Sequence, residues 1–129
     1  MRQGGWARSP APPGAVAKLT PVEGQLELFD ADFTLAPGID ALHLPGHTPG
    51  TTVYVLSSGG RRALLLGDVV HSVVQFGERD WQVVWDIDPA PACAVRNRIA
   101  DDLLVAAHFP GMRFGRVLTD GGERRFAAV

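Results

Sequence analysis

The chain has 129 residues, enough for one domain with a core of its own. Its hydrophobic share of 46% is that of a globular protein, and its net charge of −2 gives no electrostatic reason to expect nucleic acid or an anionic membrane as partner. The single cysteine, Cys93, excludes an intrachain disulfide and fits a reducing cytoplasm, and no apolar run approaches the roughly 18 residues that suggest a membrane span.

Residues 1–20 are basic and rich in proline and glycine, without an apolar stretch of the secretory kind. They are expected to form an irregular lead-in to a single domain over 21–129. Gln25 to Phe29 alternates polar and apolar, the pattern of a half-buried strand, and Phe33 and Leu35 continue it after a turn. Pro37-Gly38 is a turn, Ile39 to Leu44 a second short strand, and Pro45-Gly46 its end. Thr51 to Leu56 is β-branched and aromatic, Ser57 to Gly60 is a turn, and Ala63 to Leu66 is continuously apolar, so the three make a hairpin.

Residues 71–88 fit no single period and read as a long loop with some local structure, in which Trp81 and Trp85 pack. Asp88-Pro89 opens a helix as N-cap and first helical residue. Ala92, Val95, Ile99 and Leu103 fall on one face of it, which leaves Arg96, Arg98 and Asp102 towards solvent. Cys93, in its first turns, reads as a small apolar filler. Leu104 to Ala107 is a short strand, and Asp120-Gly121-Gly122 joins two more in a hairpin.

There are four histidines. His47 sits in Pro45-Gly46-His47-Thr48-Pro49-Gly50, where two prolines and two glycines make a rigid turn that presents the imidazole at low entropic cost. Asp68 follows Gly67 just past an apolar strand, where a carboxylate is costly unless paired or bound to a cation. His108 also ends an apolar strand, before Phe109-Pro110-Gly111. Imidazole and carboxylate are standard ligands of zinc and accept manganese or iron, so His47, Asp68 and His108 are candidate metal ligands. Each also has a plainer reading, as a surface histidine or a turn carboxylate. His43, in the strand ahead of the turn, is taken as structural, and His71 as a residue that could hydrogen-bond a ligand or substrate.

Leu44 to Gly50 resembles the Gly-His-Thr-Pro-Gly motif of the metallo-β-lactamase superfamily; Leu64-Leu65-Leu66-Gly67-Asp68 and Ala107-His108-Phe109-Pro110 resemble its later motifs in the same order. The intervening text, with Trp81, Asp86, Asp88-Pro89 and Arg96, is most similar to the branch of acyl-homoserine lactonases. The resemblance implies an α/β (α+β) fold: the C-terminal half of an αββα sandwich, mainly one mixed β-sheet with one or two helices. It also implies hydrolysis of an ester or lactone by metal-bound hydroxide at a two-zinc site. By position, His47 corresponds to a ligand of the first metal, Asp68 to the bridging, catalytically essential carboxylate, and His108 to a ligand of the second. Thr51 stands where many members carry another histidine, and the His-x-His-x-Asp-His motif is absent. The chain therefore reads as a truncated domain. Its partners are then a small ester or lactone and, for a complete site, a complementing N-terminal half or a second copy. The alternative is a catalytically inactive domain that acts as a metal-free interaction module.

Overall fold

The computed structural model describes residues 13–129, in two compact units that divide between Asp30 and Ala31. In the first, helix α1 (Pro13–Leu19) runs into a 3-10 turn over Thr20–Gln25, and the Thr20 hydroxyl donates to the Val16 carbonyl at 2.8 Å. The helix stands inside the segment expected to be irregular. The expected strand over Gln25 to Phe29 does not form: residues 26–29 carry no regular structure and belong to none of the sheet's strands. Polar–apolar alternation stabilises a strand only where a neighbouring ladder takes up its backbone groups.

The second unit is one seven-stranded mixed sheet in the order of the chain: β1 (Phe33–Ala36), β2 (Ile39–His43), β3 (Thr52–Ser58), β4 (Arg61–Leu65), β5 (Leu103–Val105), β6 (Gly115–Asp120) and β7 (Glu123–Ala128). Neighbouring strands are antiparallel except β4 and β5, which are parallel. A parallel pair needs a long crossover, and residues 66–102 supply it with helix α2 (Pro89–Arg98). The expected hairpins close on paired glycines at positive φ, Gly59-Gly60 between β3 and β4 and Gly121-Gly122 between β6 and β7.

Alternation along the strands divides the sheet into two faces. Val53, Val55, Leu64 and Leu104 point to one, where they are buried with Leu66, Val70, Phe76, Ile99, Ala106 and Phe109. Phe76, Phe109 and Phe126 meet there edge to face and stacked, with ring centroids 4.7–6.2 Å apart. The other face carries Tyr54, Leu56, Leu65, Leu103 and Val105, all half-buried.

Two expectations for α2 need correction. The helix ends at Arg98, and Leu103, placed on its apolar face, instead begins β5. Arg96, placed towards solvent, is 1% exposed. Its Nη2 donates to the Trp81 carbonyl, so the guanidinium tethers the 77–88 loop to the helix, while Arg98 stays exposed as expected.

No described helix is long and apolar enough to cross a membrane.

Candidate metal centre

Strand direction places the site. Because β3 is antiparallel to both β2 and β4, those two run the same way, and β5 runs parallel to β4. The C-terminal ends of β2, β4 and β5 therefore lie on one edge of the sheet, and just beyond them come His47, Asp68 and His108. Carboxyl-end loops of such sheets are the usual place for ligands.

The turn carrying His47 is held from several sides. The Leu44 amide donates to the Thr51 carbonyl at 2.9 Å, and the Thr48 amide to the Thr51 hydroxyl at 2.8 Å. His43 Nε2 lies 2.8 Å from the Pro49 carbonyl, so the histidine taken as structural braces the motif turn. On the far side, the Asp88 amide donates to the Gly46 carbonyl at 2.9 Å and the Ile87 amide to the His47 carbonyl at 3.0 Å. Gly46 is required where it stands: a Cβ there would lie 2.6 Å from the Ala92 backbone.

His47 Nδ1 donates to Asp86 Oδ1 at 3.0 Å, and the Asp86 side chain is only 2% exposed. Asp86 Oδ2 accepts from the Val83 amide at 3.3 Å, which fixes the carboxylate in turn. With Nδ1 engaged, Nε2 is the nitrogen left for a ligand, the arrangement usual for metal-binding histidines. Asp86 entered the sequence reading only as part of the matching text. A carboxylate 39 residues from the histidine it orients gives no local signal.

Asp68 is reached through Gly67, whose φ of 54° turns the chain at the end of β4. Its carboxylate is exposed, and Oδ1 lies 3.1 Å from His108 Nε2. His108 is itself about half exposed, between the buried Ala106 and Phe109 that anchor its turn.

His71 occupies the middle. Its ring lies 4.8 Å from that of His47 and stacks on that of His108 at 5.0 Å, centroid to centroid. Ligand atoms of Asp68, His71 and His108 all lie within 4.8 Å of one another. The sequence alone gave His71 a lesser place, yet a signal was present in Ser72-x-x-Gln75. That pair forms a capping box on a 3-10 turn over Val73–Phe76, and the Gln75 side chain also accepts from the His71 amide at 2.8 Å. Burial lowers the His71 pKa below its ordinary value, and so do the neighbouring His47 and His108 rings, partly opposed by Asp68 and Asp86. That direction favours the neutral imidazole, the form that binds a cation, and its Nδ1 is buried without a hydrogen-bond partner.

The donor set fits a small divalent cation. Tetrahedral zinc with bonds of about 2.0 Å spaces its donors roughly 3.3 Å apart, so modest side-chain rotations would close the cluster around an ion. All three sequence-derived candidates reach this edge. Asp68 and His108 are in direct contact, and His47 lies one ring further, beyond His71.

No protein-family model and no curated protein matches this sequence. Solved structures do. AidC, a dizinc quorum-quenching lactonase in complex with the product N-hexanoyl-L-homoserine, superposes at a TM-score of 0.75 with 23% identity over 91% of this chain and 45% of its own. The hydrolase AbOPH, of the β-lactamase superfamily, does so at 0.69 with 26% identity over 90% of this chain and 44% of its own. A quorum-quenching N-acyl homoserine lactone hydrolase gives 0.55 with 21% identity over 66% and 37%. These neighbours are metallo-β-lactamase superfamily members, and the chain has the fold of the C-terminal half of such proteins. It spans less than half the length of the structures it matches.

Proposed function

Starting from that fold, we propose that the chain is the C-terminal metal-binding part of a metal-dependent hydrolase acting on an ester or lactone bond. The observation that carries this reading is the convergence of Asp68, His71 and His108, with His47 beside them, at the carboxyl ends of β4, β5 and β2. Structural likeness to lactonases and hydrolases supports the same class.

Asp68 and His108, with His47 one ring further, would hold the metal, zinc by analogy with the dizinc neighbour or else manganese or iron, and His71, between them, is placed to serve as a further donor. A bound divalent cation supplies Lewis acidity, which polarises a scissile carbonyl and makes water acidic enough to attack it at neutral pH. The chain's own residues supply position. Asp86 holds the proton of His47 at Nδ1, and Gln75 fixes the backbone of His71. The donors that the superfamily draws from His-x-His-x-Asp-His would come from a complementing chain or a second copy. The exposed site edge leaves Asp68 and His108 open to such an addition.

A second reading, a metal-free interaction module, draws on the half-buried apolar face of Tyr54, Leu56, Leu65, Leu103 and Val105. Elemental analysis of the chain refolded with excess zinc or manganese separates the two, since the hydrolase reading requires retained metal. Hydrolysis of a lactone panel, by the chain alone or with a complementing half, is expected to vanish in Asp68→Ala. Retention of no metal, or activity indifferent to Asp68, would sink the hydrolase reading.

A further inference from the structure

Outside the clustered donors, α2 buries a cation that lacks a counter-charge. Arg96 is 1% exposed, and among the described residues no carboxylate pairs with it. Its Nε and Nη1 are buried with no hydrogen-bond partner. Nη2 alone is engaged, with the Trp81 carbonyl and, at 3.0 Å, with the Sγ of Cys93 one helical turn earlier. The thiol donates to the same Trp81 carbonyl at 3.3 Å, and the Cys93 residue is partly exposed. A guanidinium buried without an anion is a costly arrangement, and of its two hydrogen-bond partners only this sulfur can take up oxygen.

We propose that Cys93 and Arg96 form a peroxide-reactive thiol site. The sulfur attacks one oxygen of hydrogen peroxide. The S–O bond forms as the O–O bond breaks, and the departing hydroxide takes up the thiol proton and leaves as water. Sulfur loses two electrons and the peroxide gains two; the product is a sulfenic acid. Arg96 stabilises the charge that develops on oxygen during this step and then donates to the new sulfenic oxygen. A plain apolar filler would gain nothing from a guanidinium beside it. The site is independent of any metal, so it stands or falls apart from the hydrolase reading.

The test is dimedone trapping of the 129-residue chain under graded hydrogen peroxide, read by intact mass with time. The native chain is expected to label at Cys93 about fivefold or more faster than the same chain unfolded in guanidinium chloride, and Cys93→Ser not at all. Folded Arg96→Met is expected to lose that advantage and Arg96→Lys to keep part of it. A native rate less than about fivefold above the unfolded one overturns the proposal, as does a folded Arg96→Met that labels like the parent chain. The native-to-unfolded comparison needs no variant, so it decides the matter even if Arg96 cannot be replaced without unfolding.

Discussion

Asp86 is the residue whose removal best isolates orientation from ligation. Its carboxylate hydrogen-bonds His47 Nδ1 and the Val83 amide and no other side chain of the centre. In Asp86→Ala, His47 keeps its donor nitrogen but loses the partner that fixes its tautomer and ring plane. Zinc affinity, measured by chelator competition, is expected to fall about 10- to 100-fold, the usual cost of losing such a partner. An unchanged affinity would mean that His47 does not take part in binding. Which of these residues the sequence could reveal follows from how local their signals are. His47 and Asp68 each follow a glycine past a strand end, and His108 comes just before Phe109-Pro110-Gly111 past another, where a polar side chain needs a reason. His71 lacks such a frame, and its role depends on rings brought next to it from 24 positions upstream and 37 downstream. Arg96 misleads for the opposite reason. A guanidinium on a short helix reads as solvent-facing unless one knows which carbonyl lies over it, and Trp81 reaches it from an aperiodic loop.

Among the elements, the turn after β2 and the N-terminal part of α2 behave as one piece, because Gly46 lies directly against the Ala92 backbone. Gly46→Ala would drive a methyl group into that contact at 2.6 Å, where no flexible side chain can yield. The expected loss is about 1–3 kcal/mol, seen as a lower denaturation midpoint at constant slope, with weakened zinc binding because His47 follows directly. A variant as stable as the parent would show that turn and helix are not in contact. The 3-10 turn after Asp68 offers a parallel case. Gln75 is 4% exposed and its side-chain oxygen takes both the His71 and the Ser72 amides. Gln75→Leu strands two amides and should cost about 2 kcal/mol or more by denaturant titration; a loss under about 0.5 kcal/mol would show that those amides find other partners. The hairpins and the start of α2 were legible from composition, since turn glycines and Pro89 act locally, although Asp88 at the N-cap makes no side-chain capping bond. The failed strand over Gln25 to Phe29 was not, because pairing is a property of neighbours.

For the molecule as a whole, the mixed topology is what turns scattered residues into a site. Reversing any one of β2, β4 or β5 would send its terminal residue to the opposite edge, so the parallel β4–β5 pair and its long crossover are prerequisites of the cluster. That dependence gives a global readout. A cation that binds only when the edge is assembled binds the folded state and not the unfolded one, and so raises stability by mass action. At free zinc about 100 times its dissociation constant the gain is about 2.7 kcal/mol. In a chain of this length that moves the thermal midpoint up by about 10 °C. The shift should reverse with chelator and be largely lost in Asp68→Asn, which removes the charge but little volume. His43→Gln should keep most of it, since that residue braces the turn through the Pro49 carbonyl and is not among the clustered donors. A midpoint indifferent to zinc would mean that the three strand ends meet without forming a cation site. An Asp68→Asn variant that shifts as far as the parent would place the ion elsewhere on the chain.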